Sequence, residues 1–279
     1  VGAIADLDSL INLTTDGGAV AGDRIWMHKW DRVAGTAITF LQNRDYSLWT
    51  FDGQPSAGVA PGGTAAVPDN TTAGGLRQVD PTGGRQKWLH AMVNWLTNAQ
   101  CSVLLYDRLL HISGLSGTVT TAQTVGGAIT RYTGAEAWNN QAWVEIYSPL
   151  GATATTISMN YVDQDGNAAA SPAATTVIGG AAFAEQCRMF PIALAAGDSG
   201  VRSVTDVTLA ATTGTAGDFG ITIVRPLAML NVAQVGGGGI RTYLESMPEI
   251  KAGACLALMI IPHTVAVNRF GMGFAMVEA

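Results

Sequence analysis

Charge is what this chain has least of. Only 13% of its 279 residues are Asp, Glu, Lys or Arg, about half the share of an ordinary soluble domain, while 48% are hydrophobic and 34 are glycine. Lysine occurs only at Lys29, Lys87 and Lys251, so arginine supplies most of the positive charge. The surface must therefore be coated with Thr, Ser, Asn, Gly and Ala, a coating suited to meeting other protein. Fifteen cations against 21 anions give a net charge of -6, which argues against a phosphate-tracking surface and predicts no direct nucleic-acid partner.

Long apolar runs are missing as well. The longest, from Ala254 to Pro262, has about half the length of a membrane-crossing helix, so no membrane partner is expected. The stretch Val1-Gly2-Ala3-Ile4-Ala5-Asp6 lacks the basic start and apolar core of a secretory signal, and the chain reads as soluble and made in the cytoplasm. Cysteine is confined to Cys101, Cys187 and Cys255, an odd number set far apart in apolar surroundings, which predicts buried thiols rather than a disulfide framework.

Signatures of chemistry are equally sparse. None of the four histidines, His28, His90, His111 and His263, lies at metal-ligand spacing from another His or Cys, so no metal is expected. Asp163-Gln164-Asp165-Gly166-Asn167 starts like a calcium loop, but Ala168 stands where a glycine is required and Thr175 where a glutamate is required. A hairpin turn explains the same residues. Gly236 to Gly239 lack the Lys and Ser or Thr of a phosphate loop and read as a flexible joint, and Gly114-Leu115-Ser116-Gly117 lacks the spacing of a nucleophile elbow. No cofactor is expected.

Asp107, Arg108 and His111 fall within six residues. Strand alternation sends Asp107 and Arg108 to opposite faces and puts His111 on the side of Asp107, so they form no triad. Arg108 is expected to pair with a carboxylate from another strand or subunit. Glu136, Glu145, Glu185, Glu245 and Glu249 could supply two carboxylates for glycoside cleavage, but sequence fixes no separation between them. The chain reads as a non-enzyme without catalytic residues.

What is present is β structure. Ile157, Met159 and Tyr161 alternate with polar residues and run into Asp165-Gly166, a strand and hairpin turn. Ser102 to Tyr106 and Cys255 to Ile261 are apolar on both faces, as in buried strands, and Ala142 to Tyr147 alternates. Thr205 to Leu209 and Phe219 to Val224 suggest an antiparallel pair, with Pro226 marking a strand end or an edge. Phe270, Met272, Phe274 and Met276 alternate with Gly271, Gly273 and Ala275, leaving one face of the last strand bare for close approach by another backbone or sheet.

Two segments fit helices: residues 4 to 11, which could equally be an ordered arm, and residues 85 to 98, where Trp88, Leu89, Met92, Trp95 and Leu96 lie on one helical face. Between Asp52 and Gly84 the chain is rich in Gly, Pro, Ala and Thr, and is expected to form an extended arm. The expected fold is mainly β: a sandwich of jelly-roll or Greek-key type over residues 85–279, an N-terminal arm with an extended segment over residues 1–84, and one or two short helices. Trp26, Trp30 and Trp49, large aromatics among charged residues, are the expected anchors of an assembly interface, with Arg108 as a further interface residue.

Tyr106-Asp107-Arg108-Leu109-Leu110-His111-Ile112-Ser113-Gly114, Arg131-Tyr132-Thr133-Gly134, Gly197-Asp198-Ser199-Gly200-Val201-Arg202 and Thr212-Thr213-Gly214-Thr215-Ala216-Gly217-Asp218 resemble a family of tailed-bacteriophage virion proteins. The resemblance implies a capsid-associated component of the virion, assembled in the bacterial cytoplasm, with the major capsid protein and other virion proteins as partners and itself a homo-oligomer. A decoration or cement protein is the first expectation. A tail or head-fibre component binding a host receptor or glycan is the alternative, followed by a major capsid subunit or a virion-associated polysaccharide-degrading enzyme. The long spine helix and extended hairpin usual in a major shell subunit are not evident in the sequence.

Overall fold

The computed structural model describes residues 23–81, 83–242, 246–264 and 269–278. These form a mainly β protein of open antiparallel sheets packed as a sandwich, with one short α-helix among the described residues, α1 (Gly180–Phe183). The segment at residues 4 to 11 lies outside the described residues.

A six-stranded central sheet runs in the order β13 (Met189–Pro191), β9 (Gln141–Ser148), β15 (Asp218–Val232), β7 (Cys101–His111), β18 (Leu256–Pro262) and β4 (Tyr46–Ser47). A second sheet has the order β16 (Ile240–Thr242), β6 (Lys87–Thr97), β19 (Arg269–Glu278), β1 (Arg24–Trp30) and β5 (Gly53–Gln54), with β17 (Glu249–Ile250) also on β6. The third consists of β11 (Ala168–Ala170), β10 (Thr155–Asp163), β14 (Val201–Leu209) and β8 (Gln123–Thr124), with β12 (Thr176–Ile178) also on β10. A small hairpin joins β2 (Arg32–Val33) to β3 (Thr36–Ala37).

The central sheet is long enough to serve two partners. Val103, Leu105, Leu230, Leu258 and Ile260 pack against Leu89, Met92, Phe270, Met272 and Phe274 of the second sheet. Leu110, Val144, Ile146, Ile221 and Ile223 pack against Ile157, Met159, Val204 and Val207 of the third. Both cores sit on the same side of the central sheet because its ladders carry extra residues. Leu109 in β7 and Leu227 in β15 have no partner in the β7–β15 ladder, and each such bulge reverses the parity of the residues beyond it. Between the two cores Arg131 grips Asp107 with two hydrogen bonds of 2.8 Å, and the Asp107 carboxylate also accepts the Cys255 N–H.

Several expectations hold. Ile157, Met159 and Tyr161 lie buried on β10, and the chain turns through Asp163 to Asn167 into β11, with the Asp163 carboxylate accepting the N–H groups of Asp165 and Asn167. β7 is buried along its whole length, and Cys255 to Ile260 are likewise buried.

Others are corrected. Residues 87–97 form a strand, not a helix. Bulges at His90 and Trp95 interrupt the β6 ladder, so the buried positions fall at Lys87, Leu89, Met92, Asn94 and Thr97. Steps of two and three residues imitate the spacing of a helical face. β14 and the start of β15 do not pair either. β14 joins β10 and β8, β15 joins β7 and β9, and the two face each other across a core. Their connection is a crossover held by hydrogen bonds from Thr213 N–H to Gly117 and from Thr153 N–H to Thr213.

Pro226 does not end β15, which runs on to Val232, but β9 reaches only as far as Val224. Pro226 therefore sits where one side of the strand is open, as its missing N–H requires. Gly236 to Gly239 are tied to β6, with Gly236 N–H donating to Thr97 and Gly238 N–H to Asn94.

The boundary at residue 84 separates no units in space, since β1 pairs with β19 and β4 with β18. The Gly- and Pro-rich segment straps the central sheet of its own chain. β18 begins at Leu256 opposite Asp107, and alongside the far half of β7 the strap takes its place, with Ala66 and His111 exchanging both backbone hydrogen bonds and Ser113 N–H donating to Gly62.

Candidate functional site

A dense set of buried titratable side chains lies on the far face of the central sheet, under the strap. Tyr106, Arg108 and His111 reach it from β7, Glu145 and Tyr147 from β9 and Thr222 from β15. The bulge at Leu109 overturns the expected alternation: it brings His111 to the side of Arg108, and the Arg108 Nε donates to His111 Nδ1 at 2.8 Å. Glu145 Oε2 accepts from Arg108 Nη2 at 2.5 Å, Thr222 Oγ1 at 2.7 Å and the Tyr147 hydroxyl at 2.8 Å. The carboxylate expected for Arg108 is thus Glu145, from another strand of the same chain.

Electrostatics follows from this burial. Burial opposes ionisation of Glu145, but Arg108 and its hydrogen bonds outweigh it and hold the carboxyl below its ordinary value. Burial, then the Arg108 charge, pushes the His111 imidazole down to about 3. His111 is therefore neutral and accepts at Nδ1.

Trp49 closes the cluster from above. Only 1% exposed, it stacks on the Arg108 guanidinium at 4.4 Å, meets His111 edge-on at 5.6 Å and donates its indole N–H to Val59 at 3.0 Å. Glycines make room for it. A Cβ on Gly58 would overlap the indole, and one on Gly74, whose φ is +96°, would lie 2.7 Å from the Gly58 Cα. Trp49 and Arg108 are therefore interior residues and cannot anchor a partner on this chain's surface.

Trp26 and Trp30 are placed differently. They stand on the outer face of the second sheet, 61% and 40% exposed, where Trp95 from β6 joins them at 42%. The bare face expected of β19 is filled from within the chain. A Cβ on Gly271 would lie 2.5 Å from the Trp95 ring and one on Gly273 2.8 Å from the Trp26 ring. The indoles lie flat where side chains are missing. His28 stands between Trp30 and Trp95, 5.6 Å from each ring.

At the β16 edge of the same sheet lies a second exposed group. Ile240 is 69% exposed and pairs with Val93 on β6, two residues from Trp95, and Val235, 65% exposed, lies in the turn tied to Thr97 through Gly236. Arg241 on β16 donates to the Met229 carbonyl, and Gly237 packs against the Trp95 backbone. Sequence reasoning missed this group because Val235 and Ile240 flank the glycine run and carry no periodicity.

Hollows open on the surface among the described residues. One of about 590 Å³ lies beside α1 among Ile38, Leu41, Leu150 and Ala184, with one carboxylate, Glu185, bonded to Arg44. Two more, of about 560 and 460 Å³, flank β5. The larger contains no carboxylate and the smaller only Asp52. Among the described residues no three His, Cys, Asp or Glu side chains gather as a metal site, and no helix is long and apolar enough to cross a membrane. No protein-family model, no curated protein and no solved structure matches the chain.

Proposed function

We propose that this chain is a non-enzymatic structural protein of a tailed-phage virion, a decoration or cement protein that binds the assembled capsid and itself. The observation that carries the reading is the β16 edge, where Ile240, Val235 in the turn before it and Trp95 on the adjoining strand are each exposed. Large apolar side chains gathered at an open strand edge are costly to leave in water and are favourable once covered by protein. A low surface charge and the sequence resemblance to tailed-phage virion proteins support the same reading.

The mechanism is burial repeated by symmetry. Each copy contributes a modest apolar contact, and many copies on a capsid lattice sum these into stabilisation of the shell. The strap is already folded on its own chain, so little ordering cost is charged against docking. The test is to add purified protein to undecorated heads and measure occupancy. Val235→Asp and Ile240→Asp together should reduce occupancy at least ~10-fold, the loss expected when charge is forced into an apolar contact. Undiminished occupancy with a folded variant overturns the docking edge, and failure of the wild type to bind any head overturns the decoration role.

A further inference from the structure

The opposite edge of the second sheet carries a different kind of surface. The two hollows beside β5 share Gln54 and have one exposed indole each, Trp26 in the larger and Trp30 in the smaller. These tryptophans are four residues apart on β1 with side chains on the same face, so their attachment points are roughly 13 Å apart. Each indole is held in place: Trp26 lies over Gly273, while Trp30 donates its N–H to His28 Nδ1 at 3.3 Å and has the Arg269 guanidinium 5.3 Å from its ring. The Gln54 amide is common to both hollows, and the larger adds the hydroxyls of Ser56, Thr71 and Thr72, the last two bonded to the Asp69 carboxylate.

We infer that this paired furrow binds an acidic oligosaccharide, with Trp26 and Trp30 as stacking surfaces and Gln54 between them. A pyranose has an apolar C–H face that lies on an indole and a rim of hydroxyls that needs amides and hydroxyls. Here two hollows meet at Gln54, each with an indole in its lining, and the larger adds hydroxyls. The volumes are those of small-molecule sites. Charge selects the class of sugar. Arg24 and Arg77 line one hollow and Arg32 the other, against the single carboxylate of Asp52, which already accepts the Gly35 N–H at 2.9 Å. A saccharide bearing carboxylates complements that excess, whereas the chain as a whole is anionic at -6. An oligonucleotide would also stack on indoles, but it needs a track of cations for its phosphates, and this groove centres on an amide and hydroxyls.

The inference does not depend on capsid docking, since it uses the edge away from Ile240. The purified chain would be applied to a glycan array of oligogalacturonates, oligomannuronates, sialylated oligosaccharides and neutral oligosaccharides, with an oligothymidylate as competitor. The best ligand would then be titrated calorimetrically. Saturable binding with preference for carboxylate-bearing members is expected. Trp26→Ala and Trp30→Ala should each weaken it about 10-fold or more, as for a central aromatic anchor, and Arg77→Gln should erode the acidic preference. Ile240→Asp should leave affinity unchanged while testing the capsid contact separately. Absence of binding to every member of the array, equal affinity for neutral sugars, insensitivity to both Trp substitutions, or displacement by the oligonucleotide overturns the inference.

Discussion

Trp49 and Trp26 use the same local device to opposite ends. Each indole occupies space that glycines leave open, Gly58 and Gly74 for Trp49, Gly273 for Trp26. Trp49 has the Arg108 cluster beneath it and its own strap around it, and only 1% of it is exposed. Trp26 has a sheet beneath it and water above, with 61% exposed. A glycine opposite a tryptophan fixes the ring's position; whether the ring then serves stability or recognition depends on whether chain lies on its other side.

The largest effect should come from the ion pair beneath Trp49. Arg108→Met leaves Glu145 buried without its cation, and a stability loss of about 3–5 kcal/mol is expected in urea unfolding. Replacing Glu145 by Leu in the same chain should restore more than half of that loss, because the uncompensated charge is gone. A single substitution costing under ~1 kcal/mol would remove the pair from any structural role.

The tryptophans themselves sharpen the contrast. Trp49→Ala empties a packed site and should cost about 3–5 kcal/mol, whereas Trp26→Ala, which uncovers a half-wet face, should stay within about 1 kcal/mol of wild type. Equal losses at the two positions would break the comparison.

The most gradual effect is acid sensitivity. Unfolded His111 takes up a proton near 6.5, but in the folded chain only near 3, so the folded state is fully stable above 6.5 and loses stability as pH falls toward 3. The slope contributed by this side chain is at most about 1.4 kcal/mol per pH unit. A His111→Asn variant should show a flatter acid limb in denaturation midpoints measured from pH 7 to 4. An unchanged limb would mean that His111 is not held neutral.

Much of the fold was legible where periodicity was undisturbed. Ile157 to Tyr161 keeps its alternation because the extra residue in its ladder, Thr205, lies on β14 and not on β10, and its hairpin turn is written in Asp165-Gly166. Ladder bulges hid the rest. At His90 and Trp95 they made a strand look helical, and at Leu109 they moved His111 from the side of Asp107 to that of Arg108. A bulge adds one residue without a compositional signature, so alternation fails silently beyond it.

The site was legible in part. Trp26 and Trp30 are on the surface, but Trp49 and Arg108, equally aromatic or charged, are interior because the strap folds back on its own sheet. Strand alternation could not foresee a cover supplied by a segment rich in glycine and proline. Sequence showed the bare face of β19 at Gly271 and Gly273, but the indoles that fill it come from β6 and β1, neighbours that only the strand order reveals.

A cryo-electron microscopic reconstruction of the intact virion tests the central claim most directly. The account predicts this chain on the capsid exterior in symmetric copies, with Val235 and Ile240 buried against a neighbouring protein and the Trp26–Trp30 furrow open to solvent. A particle in which the chain is missing, or in which the Val235 and Ile240 edge faces water, would contradict it.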